Sequence, residues 1–148
     1  MDTTVITNAT ADAFAMPNTR AVPVATGADT GDGWEALELT LQPGAASPPH
    51  TLSADKVFYL ADGVLEVEVD GATHTLGAGD VARIPAGIVH RYRNASDASA
   101  RLLVLVTGAT QVSFLRGMGR LGQAGQPEPG AVAEHAAAHG VRIMTPAG

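Results

Sequence analysis

Lys56 is the only lysine among the nine basic residues of this 148-residue chain. It stands between two histidines, His50 and His90, that are framed by regularly spaced glycines. A chain that otherwise meets its need for positive charge with arginine has little reason to keep one lysine for solvation, so Lys56 reads as kept for its chemistry. An ε-ammonium stabilises an enolate or alkoxide as it develops. Stripped of water, the same group loses its proton more easily and becomes a general base, or a nucleophile that forms a Schiff base with a carbonyl. Imidazoles titrate near neutral pH, so His50 and His90 are expected to move protons beside it.

The frame reads Gly44, His50, Leu52, Lys56, Gly63 and then Gly79, Pro85, Gly87, His90, Asn94. These two sets resemble the paired motifs of the cupin superfamily, in particular its small single-domain members similar to quercetin dioxygenases. The second set fits the family pattern at every defined position. In the first, Leu52 stands where the family carries a second histidine and Lys56 where it carries a glutamate. The resemblance implies an all-β fold, a jelly-roll barrel (double-stranded β-helix) with a short helical C-terminal region. It also implies that His50, Leu52, Lys56 and His90 converge inside the barrel, with two of the four usual metal ligands replaced.

That replacement argues against the family's usual metal. Divalent first-row ions are normally held by three or more side chains. At an effective dielectric of ~20 and a separation of ~4 Å a pair of unit charges interacts by about 4 kcal/mol, and a divalent ion doubles that, so an ammonium beside the ion would oppose binding. No cofactor is therefore expected; the alternative is a divalent metal at His50 and His90. His74, near the Asp70-Gly71 turn, is poorly placed to replace a lost ligand. In the competing structural account Lys56 marks a decayed site and pairs with Asp55 or Asp62 at the surface.

The elements that must position these residues follow from period and punctuation. Residues 1–20 are polar and alanine-rich and read as an arm, followed by one domain over 21–148. Strand signals begin at Trp34, with Leu37, Leu39 and Leu41 on one face and Ala36, Glu38 and Thr40 on the other. Glu38 is a candidate partner for Lys56 and the substrate. Residues 56–60 and 64–69 read as two strands of a hairpin turning at Gly63. Asp70-Gly71 makes a second turn, and further strands are expected over 73–76, 81–84, 88–93 and 101–106, the last buried on both faces. His50 shares a face with Leu52, Lys56 with Phe58 and Leu60, and His90 with Ile88 and Tyr92. Leu52, Phe58 and Tyr92 are thus expected to line the pocket.

Beyond the strands, 112–116 reads as a short helix and 117–130 as a linker rich in Gly and Pro. Pro129 suits the first turn of a helix over 131–139 that stops at Gly140. His135 and His139 share a face of that helix, but no glutamate lies between them in a metalloprotease arrangement, so they read as a structural pair.

Composition bounds the rest. The length and 45% hydrophobic content suit one globular domain, and zero cysteines leave only nitrogen and oxygen ligands for any metal. No run approaches the ~20 apolar residues of a membrane span, and the first residues lack the basic start and apolar stretch of a signal peptide, so a cytoplasmic location is expected. A net charge of −6 opposes binding to nucleic acid. The expected partners are a small-molecule substrate and a second copy of the chain, giving a homodimer. The expected function is metal-independent acid–base catalysis (isomerisation, cyclisation, elimination or decarboxylation) on a carbonyl-containing or phenolic metabolite, in the manner of tailoring enzymes of secondary metabolism. The alternatives are a metal-dependent dioxygenase resembling quercetinases and a noncatalytic cupin that holds a small ligand.

Overall fold

The computed structural model describes residues 1–123 and 125–144. Residue 124, inside the expected linker, and residues 145–148, at the end of the expected domain, lie outside the described residues. Among the described residues eleven strands are arranged in two antiparallel sheets. The first comprises β1 (Phe14–Met16), β2 (Thr19–Ala25), β3 (Trp34–Leu41), β5 (Lys56–Asp62), β8 (Val81–Ile84) and β10 (Ala100–Thr107), in the order β1-β2-β3-β10-β5-β8. The second comprises β4 (His50–Leu52), β6 (Val64–Val69), β7 (Ala72–Gly77), β9 (His90–Arg93) and β11 (Val141–Ile143), in the order β11-β4-β9-β6-β7. Among the described residues no helix is long and apolar enough to cross a membrane.

The core lies between the sheets because each strand alternates inward apolar and outward polar side chains. Leu37, Leu39 and Leu41 from β3, Phe58 and Leu60 from β5, and Leu65 and Val67 from β6 all fall in one buried cluster. Asn94, the last residue of the second motif, is buried beside it as a polar hinge. Its amide donates to the carbonyls of Leu41 and Ala98, and its side-chain oxygen accepts from Ser96. That network joins the end of β9 to β3.

Several expectations are corrected. The arm over 1–20 contains β1 and the start of β2, which pair as a hairpin. β5 and β6 are not hairpin partners: β5 pairs with β8 and β10, whereas β6 pairs with β7 and β9. Gly63 instead carries the chain round a corner between sheets, at φ 88° and so close to the Ser99 carbonyl and Ala100 that a Cβ would not fit. Period alone cannot separate a corner from a turn. β10 is buried on one face only, since Leu102, Val104 and Val106 face the core while Leu105 is 38% exposed. β9 begins at His90, two residues later than expected, because Ile88 N–H is spent on the Pro85 carbonyl in the preceding turn.

The largest correction concerns the helices. α1 (Gly27–Thr30) is a single turn, but α2 runs over Gln111–Gln123 through the first half of the expected linker. Glycine disfavours helix in isolation, yet here Gly117 and Gly119 are buried contact points, against His135 and the Ala15 carbonyl respectively. α3 (Pro129–Ala138) starts on its proline, as expected, with Gly140 at φ 69° just beyond its end. His135 donates from Nε2 to the Phe114 carbonyl and His139 from Nδ1 to the His135 carbonyl, so the pair ties α3 to α2.

Candidate functional site

β4 and β9 are paired so that His50 and His90 stand opposite each other, with ring centroids 4.3 Å apart. Lys56 opens β5 in the other sheet and reaches across, placing Nζ 3.0 Å from His90 Nε2. The imidazoles are oriented by their own backbone: Nδ1 of His50 lies 2.8 Å from the Pro48 carbonyl and Nδ1 of His90 2.9 Å from the Ile88 carbonyl. A carbonyl only accepts, so each Nδ1 carries the proton and each Nε2 offers a lone pair. Lys56 therefore donates to His90. The Lys56 Nζ also sits 5.2 Å from the centroid of the Phe58 ring, which favours the protonated form.

Lys56 is only 4% exposed, and burial pushes its ammonium down to about 7. His50 falls to about 3, through burial first and then the charges of Lys56 and His90, against the hydrogen bond to Pro48. His90 falls to about 4 through burial and the charge of Lys56, against the hydrogen bond to Ile88. This changes the part expected of the imidazoles. At neutral pH both imidazoles are neutral acceptors and the lysine is the group poised to exchange a proton.

Lys56 and His50 open onto a cavity of about 260 Å³. Its walls are mostly apolar, including Leu39, Val104, Phe114, Met118 and Ile143. A greasy enclosure with a few converging polar groups is the usual make-up of a small-molecule site. Among the described residues no group of three His, Cys, Asp or Glu is placed to hold an ion, and the lone pair of His90 is already engaged by Lys56. Two imidazoles and an amine that is protonated below about 7 do not fit a divalent centre.

A family model described as a cupin domain matches residues 37–106. This chain carries a cupin domain over those residues and has the cupin fold. Quercetin 2,3-dioxygenase of Bacillus subtilis (strain 168) is 39% identical to this cupin over 74 residues, which are 49% of this chain and 22% of that protein. Polyketide synthase CurC of Streptomyces cyaneus is 35% identical over 82 residues, 55% of this chain and 51% of that protein. The cupin thus spans less than two thirds of both curated relatives. The solved structure of KdgF from Halomonas sp. has the same fold, with a TM-score of 0.66 at 21% identity over 76% of this chain and 99% of that one.

Of the residues singled out in the cupin's sequence, Lys56, His50 and His90 come together, and Phe58 and Tyr92 line the cavity. Burial raises the Tyr92 phenol to about 12, so it stays protonated. His90 sits behind Lys56 rather than on the cavity wall, which makes it a positioning residue. Two expectations fail. Leu52 does not line the cavity but packs with Phe114, Ala136 and Val141, because β11 and α3 cover that part of β4. Glu38 faces away from the barrel and pairs with Arg101 at 2.9 Å, since it lies on the outer face of β3. Lys56 pairs with neither Asp55, which accepts from Ala86 N–H, nor Asp62. His74 is exposed on β7, far from a ligand role.

Two residues were missed. Glu35, 2% exposed, is the carboxylate on the inward face of β3. It accepts from Val112 N–H through Oε1 and from Gly27 N–H through Oε2, both at 2.9 Å, and so pins the start of α2. The alternation that placed Leu37 and Leu39 inward also places Glu35 there, and that signal was available in the sequence. Gln111, the first residue of α2, lines the cavity. Its signal was hidden because the extent of α2 was not legible.

Proposed function

We propose that this cupin catalyses proton transfer at a carbon next to a carbonyl, with Lys56 as the acid–base group, on a carbonyl-rich or phenolic small molecule. The observation that carries the reading is a buried amine held against a neutral imidazole on the wall of an apolar cavity. In its neutral form Lys56 donates one N–H to His90 Nε2, which leaves its lone pair for the substrate. The lone pair removes the α-proton, the C–H electrons move into the carbonyl, and an enolate forms beside the new ammonium, which stabilises it. Return of the proton to another atom of the enolate completes an isomerisation. Attack of the enolate carbon on a second carbonyl of the same molecule closes a ring instead, and the ammonium then protonates the resulting alkoxide. The apolar walls keep water out, and the same desolvation holds the lysine near neutrality.

Cyclisation of polyketide-like substrates draws support from the likeness to the polyketide synthase of Streptomyces cyaneus. The likeness to the quercetin dioxygenase favours a second reading, in which a metal binds at His50 and His90. The two separate on one probe, 1-tetralone in D₂O, with α-deuterium incorporation followed by NMR. The protein dialysed against chelator is expected to accelerate exchange, with a rate that rises with pH to a plateau above about 7. Lys56→Met is expected to lower that rate by about 10²- to 10⁴-fold. Exchange that disappears with chelator and returns with a divalent ion would establish the metal reading. Binding of 1-tetralone with no exchange would leave a ligand-holding cupin.

A further inference from the structure

Gln111 lines the cavity and is 5% exposed. Its Oε1 is the one buried side-chain nitrogen or oxygen without a hydrogen-bond partner among the described residues. Native interiors leave few such atoms unpaired. The helix start cannot easily shift to relieve this one, because Glu35 holds the adjacent Val112 N–H and ties it to Gly27. The cavity-facing stripe of α2 is Gln111, Phe114, Leu115 and Met118, the spacing of one helix face. Gln111 is the one member of that stripe able to hydrogen-bond, and it stands at the end that is pinned.

We propose that Gln111 is a substrate-recognition residue: its carboxamide oxygen, closed off from solvent in this arrangement, turns about the terminal side-chain bond to accept a hydrogen bond from a hydroxyl group of the ligand. The site then selects phenolic or enolic molecules over counterparts in which a methyl group replaces the hydroxyl. This deepens the function proposed above and rests on it for the orientation of the substrate: the hydroxyl is anchored on α2 while a carbonyl elsewhere in the molecule meets Lys56 on β5.

The test compares 2-naphthol with 2-methylnaphthalene, which matches it in shape and lacks the donor. The wild-type protein is expected to bind 2-naphthol at least roughly tenfold more tightly by fluorescence titration. Gln111→Met is expected to bind both probes alike, with the affinity for 2-methylnaphthalene unchanged. A second measurement needs no variant: the side-chain amide resonance of Gln111 in ¹⁵N-labelled wild-type protein is expected to shift on saturation with 2-naphthol and to move little with 2-methylnaphthalene. A naphthol preference that survives Gln111→Met, a wild-type protein without the preference, or a Gln111 resonance that does not respond would each overturn the proposal. Both measurements read binding alone. Their failure removes the role of Gln111 and leaves the chemistry of Lys56 standing, whereas absent exchange of 1-tetralone with an intact naphthol preference does the reverse.

Discussion

Burying Lys56 costs the fold stability, and the cost depends on pH. Its proton leaves at about 7 in the folded chain against 10.5 for an ordinary lysine. Between those values the unfolded chain holds more protons than the folded one, so stability rises with pH across the window. Below about 7 both states are protonated and the penalty is complete, on the order of 5 kcal/mol at 1.36 kcal/mol per unit of pKa. Lys56→Met is therefore expected to stabilise the protein by ~2–5 kcal/mol near pH 6 and by much less near pH 10, read by urea denaturation at both. Equal gains at the two pH values would mean that the amine is not titrating inside the fold. The meeting of Lys56, His50 and His90 was legible through the family motifs, but which of them holds a proton near neutral pH was left open. Proton affinity depends on burial and on which ring nitrogen meets a backbone carbonyl, and neither is written in a spacing. Glu35 was within reach of the sequence, since strand period puts it on the face of Leu37 and Leu39 and puts Glu38 on the opposite one.

α2 is the element that was least legible and that matters most to the shape of the site. Its glycines argue for a linker when intrinsic propensity is weighed alone. Packing overrides propensity, because Gly117 leaves the room that the His135 imidazole of α3 fills. A glycine in an ordinary helix gains about 0.5–1 kcal/mol on replacement by alanine. Here the opposite sign is expected: Gly117→Ala drives a methyl group into His135 and lowers stability by ~1–3 kcal/mol, seen as a drop in Tm. A rise in Tm would show that α2 and α3 are not packed as described. The strands were easier to read, because alternation is a direct record of which face is buried, as in β3 and β6. The corner at Gly63 was not, since sheet membership is decided by partners far away in the chain.

At the scale of the molecule, the two sheets bring together residues that neither could assemble alone. The second sheet supplies His50 and His90 as cross-strand partners, and the first supplies Lys56 from β5. α2 then lays an apolar face with a single polar end over the space between. The barrel was foreseen from the two motifs. The size of the cavity and its second polar point were not, because they depend on a helix closing over the strands. Everything proposed about catalysis depends on an amine that titrates inside this enclosure, and the sequence makes that directly measurable. A single lysine means that protein labelled with ¹³C and ¹⁵N at lysine alone gives one side-chain signal to follow against pH. The account predicts an inflection of the Lys56 Cε and Nζ shifts at about 7; an inflection near 10.5 would contradict it.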